Sequence, residues 1–262
     1  MEKEDIVKGL LPKDTLNPAL FNEKDEVKPE VRKLLAQIAT DFVKFTDLDF
    51  PIQDLVIVGS NTGYGWDKFS DIDLHFVTDF DKVGLPENLV RQAFDKARLY
   101  YNKKYDFELG EQDIEVYVED VKEKNRSAGR YSLLQNKWLR KPEKKQVEVD
   151  EDQVVKKAAS LASMINQVAD LVDAGNDATE QIDKVKAKIK RVRNVGLNSS
   201  EGENSEENLA FKLLRREGLL TKLDNAEIQN KNNNLSLKEA FSPTISKIPL
   251  SESTKKGLKA LF

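Results

Sequence analysis

Asp71 and Asp73 stand two residues apart in the run Asp71-Ile72-Asp73-Leu74. On an extended strand, residues at i and i+2 share a face. Two carboxylates so placed repel each other, and a divalent cation relieves that repulsion. The apolar run Leu55-Val56-Ile57-Val58 reads as a buried strand that ends in the turn Gly59-Ser60, and Ile72 to Val77 reads as a second strand. A later run, Ile114-Glu115-Val116-Tyr117-Val118, brings a third carboxylate. Its competitor is Asp113, two residues earlier on the same face. Glu115 is preferred because apolar residues flank it on both sides, whereas Asp113 follows Glu111-Gln112 and marks the start of the strand. Three carboxylates on a small sheet beside a Gly-Ser turn suggest a magnesium or manganese site that handles a nucleoside triphosphate such as ATP. The bland alternative for Asp71 and Asp73 is a pair of solvated turn acids. Against it, acids inside an apolar strand are costly unless a cation compensates them.

Around these acids, Gly59, Ser60, Lys68 and Ser70 are the candidate substrate-binding residues. Glycine allows close backbone approach, and a serine hydroxyl can donate to a phosphate oxygen. No Gly-Lys-Ser/Thr follows the turn, so it is not a P-loop. The nearby glycines stand at 59, 63 and 65, which does not fit a dinucleotide-binding fingerprint. His75 continues the face of Asp71 and Asp73, either at the rim of the site or hydrogen-bonded within the sheet. Tyr64 and Trp66 either stack on a base or pack their own loop. Lys184 to Arg193 holds six basic residues and no acid; a solvated helix face is the reading preferred over a phosphate contact. Arg126 and Arg130 are lesser candidates for phosphate contacts.

The ordered set of apolar strand, Gly59-Ser60, ten intervening residues, Asp71-x-Asp73 and a later strand carrying Glu115 resembles the polymerase β-type nucleotidyltransferase superfamily. That motif covers residues 54 to 118. A narrower resemblance, to predicted nucleotidyltransferases of large tailed phages, spans most of the chain. It is carried by Leu16-Asn17-Pro18, Lys28-Pro29-Glu30-Val31-Arg32, Tyr131-Ser132-Leu133-Leu134 with Trp138, and Gly202-Glu203-Asn204-Ser205-Glu206-Glu207-Asn208. The resemblance implies that Asp71, Asp73 and Glu115 are catalytic and hold Mg2+ or Mn2+. It implies transfer of a nucleoside monophosphate from a triphosphate to a hydroxyl, with release of pyrophosphate. The acceptor is left open among a protein side chain, an RNA end and a small molecule. Two rivals stand beside this reading. One is a non-catalytic, phage-associated binding or structural protein that retains the fold, since fold alone never proves activity. The other is a glycosyltransferase using Asp-x-Asp, against which the early Gly-Ser and the later Ile-Glu-Val strand count.

Composition narrows the chemistry further. The chain has 262 residues, a net charge of -4 and 34% charged residues, so it carries no global bias toward nucleic acid. It has no cysteine, which excludes disulfides and thiolate metal sites, and a single histidine, which excludes His-rich zinc chemistry. Oxygen ligands remain, and these suit magnesium or manganese. No apolar run approaches a membrane span, and Met1-Glu2-Lys3-Glu4-Asp5 is too charged for a signal peptide. A cytoplasmic location is expected, in the host cytoplasm if the chain is phage-encoded.

The elements that must position these residues follow from periodicity. Residues 1–28 read as an extended arm. The spacing of Val31, Leu34, Leu35, Ile38, Phe42 and Phe45 predicts a helix from Pro29 to about 47. Strands are expected at about 54–59, 71–78, 105–109 and 113–119, a helix after Pro86, and a hairpin around Gln135-Asn136. Helices are expected over about 151–173, over the stretch carrying Ile182 to Val192, and from a Ser205 cap through Arg216. Together these predict an α+β fold: a nucleotidyltransferase-like mixed sheet flanked by helices in 29–146, then a helical domain in 147–228. Residues 229–262 are expected to be an asparagine-rich linker and a tail that docks on the chain itself or on a protein partner.

Overall fold

The computed structural model describes residues 9–144 and 148–235. Helix α1 (Pro29–Thr46) starts with proline in its first turn, where the missing N–H costs nothing, and buries Val31, Leu35, Ile38, Ala39 and Phe42 along one stripe. Strand β1 (Ile52–Val58) leads to the Gly-Ser turn. Strand β2 (Ile72–Thr78) is followed by helix α2 (Glu87–Lys104), the short strand β3 (Glu108–Leu109) and strand β4 (Gln112–Asp120). The expected hairpin is present as β5 (Arg130–Ser132) and β6 (Lys137–Arg140). The strands form one six-stranded mixed sheet in the order β3-β4-β2-β1-β5-β6, in which only β2 and β4 run parallel. Parallel neighbours require a crossover, and α2 lies on that path.

Strand alternation divides the sheet into two faces. Leu55, Ile57, Ile72, Leu74, Phe76, Ile114, Val116 and Val118 point into the main core, under α1 and α2. Phe42 meets Phe76 at 4.9 Å between ring centroids, and Phe50 meets Phe94 at 4.8 Å. The opposite face carries Asp73 and His75 from β2, Glu115 and Tyr117 from β4, and the small apolar group Val56, Val58 and Val77.

The second half is helical: α3 (Glu151–Asp173), α4 (Thr179–Leu197), α5 (Glu206–Arg216) and α6 (Leu219–Asn234). Each of these helices contacts the other three. Leu161, Ile165, Ile182, Val185, Leu214 and Leu223 form part of its core. The Ser205 hydroxyl accepts from the Asn208 amide, which is the capping expected there.

Two expectations need correction. Gln229 to Asn234 are not a linker but the last turns of α6, because Asn230 turns inward and its Oδ1 accepts from the Ala178 amide at 2.9 Å. Composition could not reveal that buried partner. The segment read as an arm contributes Leu16, Leu20, Phe21 and Val27 to the main core, and Leu10 packs on Val154, Ala158, Leu209 and Ala210 of the helical half. Prolines and charges set it apart in the sequence, but its apolar residues find a surface only in three dimensions. The tail expected to dock, residues 236–262, lies outside the described residues.

Leu20 is fully buried, so Leu20→Ala is expected to lower the unfolding free energy by about 2–5 kcal/mol. A urea titration measures this; a change below about 0.5 kcal/mol, the range of a surface substitution, would mean the segment is not part of the core.

Candidate active site

The polar face of the sheet and the helical half enclose a cavity of about 850 Å3. Gly59, Ser60, Asp71, Asp73, His75 and Glu115 line one side of it. Asp73 and Glu115 are direct neighbours across the parallel pair β2–β4, and Asp71 stands one residue before β2 begins. All three acids therefore face the same cavity. Asp113 is not among its lining residues. It lies opposite Glu108 of β3, and its charge is among those that raise Asp71 and Glu115.

Gly59 is required by Asp73. Its φ is +79°, in the left-handed region, and a β-carbon there would lie 1.8 Å from Asp73 Oδ2. The close approach that glycine permits is thus made by a carboxylate of the chain itself, where the sequence had suggested a phosphate. The Gly59 amide donates to Ser127 Oγ at 3.0 Å. Ser60 opens a short 3-10 turn, Ser60–Thr62, on the cavity wall.

Asn61, in that turn, is fully buried and ties the site together. Its Nδ2 donates to the carbonyls of Ser70 and Asp71, at 3.1 and 2.8 Å. Its Oδ1 accepts from Asn17 Nδ2 at 2.6 Å. Gln112, at the start of β4, accepts from Asn17 at 2.6 Å and donates to the Asp67 carbonyl at 2.7 Å. Breaking such a buried bond typically costs about 1–3 kcal/mol. Sequence reasoning missed Asn61 because a lone asparagine after Gly-Ser looks like an ordinary turn residue.

Lys68 and Ser70 do not line the cavity. Lys68 lies over the Phe69 ring, and Ser70 is buried with its hydroxyl accepting from the Asp67 amide. They shape the loop that delivers Asp71. Trp66 likewise serves its loop, donating Nε1–H to the Thr15 carbonyl, whereas Tyr64 lines the cavity. His75 lines the cavity and is also bonded within the sheet. Its Nδ1 lies 2.8 Å from Glu119, which is held in turn by Arg130. That contact commits Arg130 to structure. Arg126 stays on the cavity wall and donates to Asn198 of the helical half.

The opposite wall brings three cations, with Glu201 and Glu203 beside them. Arg193 of α4 and Lys212 and Arg215 of α5 line it. Arg193 belongs to the basic run that reads as a solvated face; it remains exposed, yet it lines the cavity and stacks on Phe211 at 4.3 Å. Lys212 Nζ donates to the Gly65 carbonyl at 2.7 Å. Arg215 donates to the Phe69 carbonyl and pairs with Asp71 at 2.9 Å. Lys212 and Arg215 gave no motif signal, since a basic residue on an amphipathic helix is unremarkable until its neighbours are known.

Crowding of like charge shifts the acids. Burial, then the charges of Asp71 and Glu115, push the Asp73 carboxyl up to about 7. Asp71 and Glu115 are also raised, by desolvation first; Arg215 opposes the rise at both. Burial lowers Lys212 and Arg193. In donor chemistry the three acids fit a hard divalent cation, which would relieve their repulsion. In arrangement they are not yet gathered: among the described residues no three His, Cys, Asp or Glu side chains form a group able to hold a metal. The expected convergence on a cation-sized site is therefore not seen with Arg215 seated on Asp71.

No protein-family model matches the chain, and no curated protein matches it. Among solved structures it is similar to the CdnE cyclic dinucleotide synthase of Elizabethkingia meningoseptica, with GTP and Apcpp. That match has 11% identity, covers 87% of this chain and 83% of that one, and has a TM-score of 0.26. It is also similar to the STING-associated CdnE c-di-GMP synthase of Capnocytophaga granulosa, at 14% identity, over 89% of this chain and 99% of that one, with a TM-score of 0.20. Likeness this loose carries no weight for chemistry or substrate.

The raised carboxyl of Asp73 sets a pH dependence. Its folded-state value exceeds the unfolded one, so its contribution to stability is full below about pH 4 and is lost as pH rises through about 7. Asp73→Asn is expected to flatten that slope and to stabilise the metal-free protein at pH 8 by about 1 kcal/mol or more. Denaturant titrations of both proteins between pH 5 and 8, in chelator, measure it; equal slopes would mean Asp73 is not held in a charge-crowded, desolvated place.

Proposed function

We propose that the chain is a metal-dependent nucleotidyltransferase that moves a nucleoside monophosphate from a nucleoside triphosphate to a hydroxyl acceptor. The observation that carries this reading is the polarity of the cavity. Asp71, Asp73 and Glu115 line it from the sheet, and Arg193, Lys212 and Arg215, with Glu201 and Glu203 beside them, line it from the helical half. A triphosphate with its divalent cation is a ligand that needs both walls.

Mg2+ or Mn2+ held by Asp71, Asp73 and Glu115 would neutralise triphosphate charge and lower the pKa of the acceptor hydroxyl. Arg193, Lys212 and Arg215 bind the outer phosphates, with charge-assisted hydrogen bonds stronger than neutral ones. Ser60 donates to a phosphate oxygen beside the turn. Glu115, the most solvent-open of the three acids, receives the acceptor's proton. The acceptor oxygen bonds to the α-phosphorus as the bond to the bridging oxygen breaks, and pyrophosphate leaves along the cationic wall. The gain comes from positioning and from charges already in place.

A second reading is a non-catalytic binding protein that retains the architecture. The Arg215–Asp71 pair favours it, because a fixed guanidinium could replace a cation permanently.

Incubation with each of the four ribonucleoside triphosphates and Mg2+ or Mn2+, with detection of pyrophosphate and labelled product, separates the two. Activity is expected in the native chain, with loss of about 100-fold or more on Asp71→Asn with Asp73→Asn, since these would remove charge stabilisation at the reacting centre. Unchanged transfer in the double variant would rule out the assigned acids. Arg193→Met is expected to weaken triphosphate binding about tenfold or more, the worth of a hydrogen bond to a charged group. Equilibrium binding of a fluorescent triphosphate in Ca2+ measures it, and unchanged affinity would remove Arg193 from the site.

A further inference from the structure

Arg215 makes two contacts with the segment that presents the acids. Its guanidinium pairs with the Asp71 carboxylate at 2.9 Å and donates to the Phe69 carbonyl. Three residues earlier on α5, Lys212 donates to the Gly65 carbonyl. One face of α5 therefore grips the loop from Gly65 to Asp71. The pair is partly open to solvent, with side-chain exposures of 41% for Arg215 and 26% for Asp71. In this arrangement no three acids are gathered for a metal among the described residues. A second cation, Arg193, lines the same cavity.

We propose that Arg215 is an interlock: it occupies Asp71 until a triphosphate draws its guanidinium away, so that the divalent cation and the nucleotide bind only together. The inference rests on the nucleotidyl-transfer reading and adds a regulation to it. A triphosphate offers Arg215 several anionic oxygens where Asp71 offers one carboxylate, and phosphate is a ligand to which the guanidinium fork is well matched. Once Arg215 moves to phosphate, Asp71 loses its partner beside Asp73 and Glu115, and the three carboxylates gain a shared need for a cation. The two ligands are then coupled reciprocally, each tightening the other. The interlock keeps the site from holding a divalent cation, and from acting on water, before nucleotide arrives.

The test is Mn2+ binding by calorimetry and by electron paramagnetic resonance, without nucleotide and with α,β-methylene-ATP. In the native chain, Mn2+ is expected to bind weakly alone and at least about fivefold more tightly with the analogue. Arg215→Met is expected to tighten Mn2+ binding in the absence of the analogue by about fivefold or more and to shrink the gap between the two conditions. Arg215→Gln repeats the measurement should the methionine variant fail to fold. Lys222→Met, which removes a positive charge whose Nζ donates to Asn166, controls for net charge and should leave Mn2+ binding unchanged. If the native chain and the Arg215 variants bind Mn2+ alone with equal affinity, or if Lys222→Met reproduces the gain, the interlock is wrong and nucleotidyl transfer stands. If no form binds Mn2+ even with the analogue, nucleotidyl transfer fails and takes the interlock with it.

Discussion

The site depends on one buried side chain, Asn61. Its amide holds the carbonyls of Ser70 and Asp71 while its oxygen is held by Asn17. Asn17 is also bonded to Gln112 at the start of β4. Three stretches of chain far apart in sequence thus meet through complementary, buried amides. Buried amides carry a heavy penalty unless every polar atom is met, so this knot tolerates few alternative geometries. The turn that carries Ser60, the loop that delivers Asp71 and the strand that carries Glu115 are thereby fixed in one frame.

Within that frame, the architecture separates stability from chemistry by strand parity. Even-numbered positions of β2 fill the apolar core; odd ones bring Asp73 and His75 to the cavity. Because β4 runs parallel in register, Glu115 falls beside Asp73 without any special turn. The price of this economy is charge crowding, which shows in the raised carboxyl of Asp73. Arg215 reaches into that crowd from the other half of the molecule, and the cationic wall as a whole balances it.

Much of the sheet and both acid-bearing strands were legible because period-two alternation and the Gly-Ser to Asp spacing are local signals. Helices α1, α3 and α5 were legible for the same reason, through apolar stripes and a serine cap. The parts that escaped depend on partners distant in sequence. Asn230 reads as part of an asparagine-rich spacer until Ala178 stands beside it. Leu16 and Leu20 read as an arm until the core is assembled around them. Arg193 lay in a run that composition labelled a solvated face, and only its stacking on Phe211 singles it out. Lys68 and Ser70 erred in the other direction: proximity to Asp71 along the chain did not become proximity to the cavity.

The helical half holds the sheet half partly by the main chain. Lys212 and Arg215 grasp the carbonyl oxygens of Gly65 and Phe69, and the N-terminal segment adds a bond from the Lys13 amide to the Tyr64 carbonyl. A carbonyl oxygen is present whatever residue carries it. Side chains along the rim of the cleft can therefore drift in evolution without breaking these bonds, and the rim is free to diversify. The fastener and the rim share the same loop but do not share the same atoms.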